Sequence, residues 1–150
     1  MKTNSTNLLI DSDLEVKGIT IHNTGTTDSA KELVQKMEEA KQLYLCHYVV
    51  DEEETIQTTS EDKVAYHTGK GYDFGNRFTL AIEICRSQSD FSLYIRAQEN
   101  AIKLIKKLMT KYNLTTSDIY FHNDFNRNTY CPHKILDYYG SKKEFIRKEF

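Results

Sequence analysis

Two histidines and one cysteine in this sequence have the residue types and the setting of a metal site. His22 and His122 each close an apolar segment and precede an asparagine and a loop (ITIHNTG and IYFHNDF), and Cys131 directly precedes the single proline. Two imidazoles and a thiolate form a known catalytic zinc set that leaves the fourth position for water. Such a site lowers the pKa of the bound water to roughly 7, which suits hydrolysis at neutral pH.

Spacing alone does not single out these three residues. Five histidines and three cysteines allow other combinations. A lone histidine at the end of a strand more often makes structural hydrogen bonds than binds a metal ion. The residue types and spacing of His22 and His122 are therefore compatible both with a metal site and with structural hydrogen bonds.

Glu83 is a carboxylate inside the most apolar segment of the chain, TLAIEIC at residues 79–85. In a strand with alternating faces, Glu83 lies on the face opposite to the leucine and the two isoleucines. A carboxylate there is costly unless it is paired or solvated. One interpretation is a partly wet face or a salt bridge with Arg77 or Arg86. The other is an acid beside the metal, which takes a proton from water and delivers it to the leaving amine.

The remaining segments predict the elements that position these residues. Alternating apolar runs predict strands over residues 16–22, 45–50, 55–59, 79–85 and 119–122. Apolar residues at helical spacing predict helices over 29–43 and over 97–112, where the second helix can extend back to Phe91 and stops at Asn113. Two short helical stretches follow residue 133 and are broken at Gly140. The acidic run 51–54 predicts a solvated hairpin tip.

This order of elements predicts an α/β fold in a single domain. The sheet is expected to be mixed, because residues 45–59 form an antiparallel hairpin whereas other strands are connected by helices. We expect a central mixed β-sheet flanked by helices, with the zinc cleft at the strand ends. We expect the chain to divide into an N-terminal arm at 1–15 and one folded domain at 16–150.

Composition excludes several classes of protein. With 150 residues, 39% hydrophobic and 28% charged, the chain matches one globular domain rather than a disordered segment. A net charge of −2 argues against a dedicated nucleic-acid binder, and no run approaches the roughly 18 apolar residues of a membrane helix. Three cysteines are an odd number, which argues against a disulfide framework. The polar N-terminus lacks the apolar stretch of a secretory signal.

Six motifs, taken in order, resemble those of the type 2 N-acetylmuramoyl-L-alanine amidases, which include phage endolysins and animal peptidoglycan recognition proteins. The motifs are IHNTG, CHYVVD, YHTGKG, AIEIC, HNDF and TYCPHKIL, and the resemblance runs from about residue 17 to residue 139. It implies that His22, His122 and Cys131 bind Zn²⁺ and that Glu83 is the catalytic acid. It also implies hydrolysis of the amide that joins the lactyl group of N-acetylmuramic acid to L-alanine.

The chain departs from the family pattern at two positions. Many members carry a lysine two positions before the metal cysteine, where it stabilises the oxyanion, whereas this chain has Thr129. Amidase-active animal members also have threonine there, so this difference does not exclude activity. A hydroxyl two residues before the metal cysteine is expected close to the open side of the metal, and we expect Thr129 to donate a hydrogen bond to the oxyanion. Cys46 stands where many members have Trp, Tyr or Ser. A tyrosine that assists catalysis in some relatives is therefore not visible at that position.

Two further residues are predicted to bind substrate. Asn23 follows the first metal histidine, and it can instead orient the ligands or cap a turn. His67 in the YHTG loop is expected to line the substrate groove, and the alternative is plain packing of the loop.

The resulting functional prediction is a zinc-dependent amidase acting on peptidoglycan, as the catalytic domain of a phage or prophage endolysin. The alternative is a non-catalytic peptidoglycan-binding module on the same fold, and the presence of both Cys131 and Glu83 argues against it. No nucleic acid, membrane insertion or obligate protein partner is expected. We expect synthesis in the cytoplasm without a signal peptide and action on the cell wall after release.

Overall fold

The computed structural model describes residues 11–150, which fold around one five-stranded sheet. The strands are β1 (Gly18–Asn23), β2 (Tyr48–Val50), β3 (Thr55–Gln57), β4 (Thr79–Ile84) and β5 (Ile119–Phe121). Their order is β3-β2-β4-β1-β5, in which only β3 is antiparallel to its neighbour. The predicted mixed α/β sheet is confirmed.

Six α-helices flank this sheet within the described residues. They are α1 (Ala30–Glu39), α2 (Phe74–Phe78), α3 (Phe91–Tyr112), α4 (His122–Phe125), α5 (His133–Tyr139) and α6 (Lys142–Glu149). As predicted, α3 ends where Asn113 adopts the left-handed conformation, and Gly140 separates the last two helices. None of the helices in residues 11–150 combines the length and the apolar character that crossing a bilayer requires.

The side chains of β4 alternate between two faces, as predicted from the sequence, and each face contributes to an apolar core. Leu80, Ile82 and Ile84 are fully buried in the larger core, together with side chains of α3, α5 and α6. Ala81 lies in the smaller core, against α1. Glu83 therefore extends from the face of the sheet that α1 covers.

The same alternation in β1 places a histidine beside this carboxylate. Ile19 and Ile21 belong to the larger core, so His22 lies on the opposite face. The parallel pairing of β1 with β4 aligns His22 with Glu83. The two side chains are thus neighbours on one face, near the carboxyl ends of the parallel strands.

The predicted boundaries around the second strand are wrong by several residues. The helix predicted over 29–43 ends at Glu39, because Lys41 adopts the left-handed conformation with φ 56°. A 3₁₀ turn at Leu43–Leu45 follows, and β2 begins only at Tyr48.

The predicted solvated hairpin tip is wrong at Asp51, which is only 2% exposed. Its carboxylate accepts the N–H groups of Glu53 and Glu54, each at 2.8 Å, and so closes the turn. It also accepts the N–H of Ala30 at 2.7 Å, at the start of α1. The carboxylate therefore fixes α1 to the hairpin.

The predicted strand end at His122 is also wrong. β5 ends at Phe121, and His122 is the first residue of α4. The Asp124 carboxylate accepts the N–H of Phe121 at 2.7 Å and caps this short helix. The histidine is consequently held by a helical turn.

The predicted N-terminal arm lies partly outside the described residues, since its first ten residues are not among them. Within the described part, Leu14 is buried in the larger core, and its N–H donates to the carbonyl of Asp62 at 2.8 Å. The boundary between residues 15 and 16 stays a prediction.

We expect Gly18→Ala to destabilise the fold. A Cβ at Gly18 would lie 2.8 Å from the backbone oxygen of Asp118 and 2.7 Å from the Tyr120 ring. Overpacking of this kind costs roughly 1–3 kcal/mol, which urea unfolding can measure. Gly25→Ala is the matched control, because a Cβ at Gly25 meets nothing within 4 Å. Equal stability of the two variants would contradict the close approach at β1.

Candidate metal centre

His22, His122 and Cys131 converge near the carboxyl ends of the parallel strands, where their donor atoms all lie within 4.8 Å of one another. His22 comes from β1, His122 from the start of α4, and Cys131 from the loop before α5. Among residues 11–150, no other group of three histidine, cysteine or acidic side chains is arranged so that it could hold a metal ion. The structure brings together the three residues that the sequence analysis selected.

Backbone contacts orient His122 toward the site. Its Nε2 lies 3.0 Å from the carbonyl oxygen of Thr68. A carbonyl only accepts hydrogen bonds, so Nε2 donates and the lone pair of the neutral ring is on Nδ1. Burial lowers the pKa of His122, which favours this neutral form. The ring centroid of His22 lies 4.6 Å away.

His22 is almost completely buried, with 2% of its surface exposed. Burial lowers its pKa well below the usual range, and the neighbouring His67 and His122 lower it further. The ring is therefore neutral, which is the form that binds a metal ion. Its Nδ1 lies 3.9 Å from the Cys131 Sγ and 3.9 Å from the Glu83 Oε1.

Cys131 lies at the cis peptide bond to Pro132, with its Sγ also 3.9 Å from the carbonyl oxygen of Asn23. Burial, together with the nearby Glu83 carboxylate, raises the pKa of this thiol to about 12. A bound divalent cation reverses such a shift, because it deprotonates a coordinating thiol. Two imidazole nitrogens and a thiol sulfur form a donor set that fits zinc.

Glu83 faces this centre without an arginine partner among the described residues. Arg86 instead donates to both oxygens of Glu52, at 2.9 and 2.7 Å, and the guanidinium of Arg77 lies over the Tyr72 ring. The salt-bridge interpretation of Glu83 is therefore wrong. Burial raises the pKa of the Glu83 carboxyl to about 7, although 24% of the side chain stays exposed. Such a group can both accept and donate a proton near neutral pH.

The Asn23 amide joins the end of β1 to the start of α5. Its Oδ1 accepts the N–H groups of Lys134 and Ile135, at 2.9 and 3.3 Å. These two residues follow Cys131 by three and four positions, so the contact also fixes the cysteine. The amide of Asn23 bonds only to protein groups in the described structure, which agrees with the alternative that Asn23 orients the proposed ligands. Substrate binding by Asn23 stays a prediction.

A buried chain of hydrogen bonds continues from Asn23 to the last helix. Asn23 Nδ2 donates to the Tyr94 hydroxyl at 3.2 Å, and that hydroxyl donates to Gln98 at 2.8 Å. Gln98 donates to the Tyr139 hydroxyl at 2.9 Å, which donates to Glu149 at 2.5 Å. The polar support of the site thus runs through α3 and α5 to α6.

His67 lies behind His22. It is 8% exposed, and its Nδ1 lies 2.9 Å from the His22 Nε2, on the ring edge turned away from Cys131. Its Nε2 lies 3.0 Å from the carbonyl oxygen of Gly75. The predicted contact of His67 with substrate stays a prediction, and its observed polar contacts are within the protein.

Thr129 lies in the loop between α4 and α5 and is half-buried. Its N–H donates to the carbonyl of Asn126 at 3.1 Å, which holds the loop. Across residues 11–150, no group forms a hydrogen bond with the Thr129 hydroxyl. The hydroxyl is therefore available to a ligand, and its predicted role toward the oxyanion stays a prediction.

A cleft of about 520 Å³ opens beside Glu83, and its opposite wall is α1. Leu33 and Met37 make this wall apolar, whereas Thr24 adds a buried hydroxyl that has no partner among the described residues. The role of these lining residues was not predicted from the sequence. Thr24 belongs to the HNTG motif, but its residue type alone does not separate it from other loop threonines.

Comparison with known proteins agrees with this geometry. The sequence model of the family described as N-acetylmuramoyl-L-alanine amidase matches residues 12–134. Among curated proteins, the chain is 34% identical over 124 residues to the N-acetylmuramoyl-L-alanine amidase CwlA of Bacillus subtilis (strain 168). That alignment covers 82% of this chain and 45% of CwlA, so the chain spans less than half the length of this relative.

Solved structures resemble the whole described fold. The structure of PlyL has a TM-score of 0.85 at 30% sequence identity, and covers 97% of this chain and 91% of its own. A mutant endolysin from Bacillus subtilis has a TM-score of 0.78 at 30% identity, and covers 91% of this chain and 88% of its own. Together with the family match over most of the sequence, these similarities show that the chain belongs to the N-acetylmuramoyl-L-alanine amidase family.

Proposed function

We propose that this chain is a zinc-dependent amidase that cleaves the bond between N-acetylmuramic acid and L-alanine in peptidoglycan, as the catalytic domain of an endolysin. The observation that carries the proposal is the convergence of His22, His122 and Cys131 beside the Glu83 carboxylate at an open cleft. The family to which the chain belongs supports the substrate. The site of action is then the cell wall.

The metal ligands in this proposal are His22 and His122 through nitrogen and Cys131 through sulfur. A zinc ion held by these three residues would supply polarisation of the scissile carbonyl and a water molecule with a pKa lowered to roughly 7. The protein contributes two neutral imidazoles and a thiol whose surroundings otherwise disfavour its charge. The burial of His22 also keeps the ligand geometry fixed.

Glu83 supplies the proton transfer that amide hydrolysis requires. Its carboxylate accepts a proton from the attacking water as the new carbon–oxygen bond forms. It returns that proton to the L-alanine nitrogen as the carbon–nitrogen bond breaks, because an amine leaves far more readily when protonated. The products are a free lactyl carboxylate and a stem peptide with a free amino group.

Thr129 is the proposed hydrogen-bond donor to the oxyanion. Its hydroxyl, which has no hydrogen-bond partner among residues 11–150, lies two residues before Cys131, on the loop that connects two of the proposed metal ligands. A neutral hydroxyl offers one hydrogen bond without a full charge. Neutral hydrogen bonds are roughly half as strong as charge-assisted ones, so its contribution is smaller than that of a lysine.

Mass analysis of purified cell wall after incubation with the protein tests the function. The expected products are intact glycan strands with free lactyl groups and stem peptides that begin with L-alanine. New reducing sugar ends would indicate a glycosidase instead. Wall binding without any released product would identify the non-catalytic binding module.

A strong chelator should abolish activity, and added zinc should restore it. Cys131→Ser should lose metal affinity, because the hydroxyl is a poor ligand compared with the thiolate. Metal content by mass spectrometry, measured beside turnover, checks both outcomes. Cys85→Ala is the control, since Cys85 is a buried free thiol outside the site, and it should retain one zinc per chain. Full activity of the metal-free protein would contradict the zinc mechanism.

Glu83→Gln should reduce turnover while zinc stays bound. The amide keeps the shape of the side chain but does not accept the proton. General acid–base catalysis is typically worth about 10²–10⁴-fold, so kcat should fall within that range. Glu52→Gln removes a buried carboxylate that pairs with Arg86, and should leave kcat near normal. Normal turnover of Glu83→Gln would make Glu83 a structural strand residue.

Thr129→Ala should lower kcat by roughly 10-fold, less than the 10²–10³ seen for a principal oxyanion donor. KM should change little, because the interaction strengthens in the transition state. Thr129→Ser keeps the hydroxyl and should keep most of the turnover. If Thr129→Ala instead loses zinc first, the residue supports the Cys131 loop and does not act on the oxyanion.

A further inference from the structure

The hydrogen bonds behind His22 have a fixed direction. The His22 Nε2 lies 2.9 Å from the His67 Nδ1, and the His67 Nε2 lies 3.0 Å from the carbonyl oxygen of Gly75. The carbonyl oxygen only accepts, so the His67 Nε2 carries the hydrogen. In a neutral ring Nδ1 is then an acceptor, and the hydrogen of the second bond belongs to the His22 Nε2.

We propose that His67 is a positioning residue that fixes His22 in the Nε2–H tautomer and thereby directs the Nδ1 lone pair to the metal. This inference rests on the proposed zinc site, but it concerns a property of the protein before the metal binds. Without the acceptor at His67, the hydrogen of His22 can occupy either nitrogen. Part of the population would then have no lone pair on the atom that faces Cys131 and Glu83.

Further contacts hold the backbone around His67 in place. The N–H groups of His67 and Thr68 donate to the Asn76 Oδ1, at 2.7 and 3.1 Å, and Asn76 is fully buried. At Gly75, a Cβ would lie 2.5 Å from the Thr68 Cγ2 and 2.8 Å from the Phe125 ring. The absence of a side chain at Gly75 therefore allows its backbone to pack closely at the end of the chain of hydrogen bonds.

The same segment of the chain orients the second histidine. The carbonyl of Thr68, the residue after His67, accepts from the His122 Nε2 at 3.0 Å. The loop that carries His67 and Thr68 thus orients both imidazoles. The Thr68 carbonyl contacts His122 directly, and the His67 side chain contacts His22. Loss of a contact to a metal-bound histidine typically costs 10–100-fold in metal affinity, and that range is the effect expected for His67.

Nitrogen-15 NMR of the metal-free wild-type protein tests the tautomer directly. The expected spectrum shows His22 with a protonated Nε2 and an unprotonated Nδ1. A spectrum in which His22 is protonated on Nδ1, or exchanges between both forms, would overturn the proposal. This measurement needs no variant, so it is decisive even where a substitution at His67 impairs folding.

Zinc affinity of variants tests the consequence. His67→Leu should bind zinc about 10–100-fold more weakly in competition with a chromophoric chelator. His67→Asn restores an acceptor oxygen near the position of Nδ1, so it should recover most of that loss. Equal zinc affinity of His67→Leu and wild type, with an unchanged His22 tautomer, would overturn the proposal.

His47→Leu is the matched control for the loss of a buried imidazole. His47 is also fully buried with both ring nitrogens bonded, to the Lys63 carbonyl at 2.7 Å and the Ala81 N–H at 2.9 Å. It contacts none of the proposed ligands, so its removal should lower stability but leave zinc affinity within about twofold of wild type. A loss in His47→Leu as large as that in His67→Leu would show a general effect on folding and overturn the specific role.

The proposed function can fail separately from this inference. Tautomer and zinc affinity are measured without peptidoglycan. A wild-type protein that has the expected tautomer and binds zinc, but releases no stem peptide, would contradict the amidase function and still support the role of His67.

Discussion

The parallel pairing of β1 with β4 is the constraint on which the site depends. Because parallel strands align residue by residue, His22 and Glu83 become neighbours on the same face of the sheet. On the opposite face, the leucine and isoleucine side chains of these two strands are fully buried. A shift of one residue in either strand would exchange these faces, so hydrophobic packing fixes the position of the polar pair.

Backbone groups and the Asn23 amide place His122 and Cys131 beside the pair of His22 and Glu83. Asn23 joins the end of β1 to the first turn of α5 and so locates Cys131, while Thr68 and Gly75 present carbonyl oxygens to the histidine rings. These contacts already hold each side chain in one orientation. Little further ordering of the side chains is therefore needed when a ligand binds. The site is organised before a ligand arrives, which is the general requirement for efficient catalysis.

Much of this arrangement could be predicted from the sequence. The alternation in residues 79–85 placed Glu83 correctly, and the order of motifs selected the three proposed ligands that the structure brings together. The four-residue helix that begins at His122 is too short to show helical periodicity, so its start could not be predicted. The burial of Asp51 depends on α1, which is distant in sequence, and the acidic run around it indicated a solvated turn.

The hydrogen bonds from Asn23 to Glu149 give the folded unit a physical boundary that differs from the boundary of the family match in sequence. The family match ends at residue 134, whereas the polar chain passes through Tyr139 and ends on α6. Cutting the chain at the end of the match would remove Tyr139, the acceptor of the Gln98 amide, together with the fully buried Ile135 and Phe145 of the larger core. Chimeras and fusions of this domain should therefore join their partner after α6, since a junction inside the last two helices would disturb the strand that carries His22, the first of the proposed metal ligands.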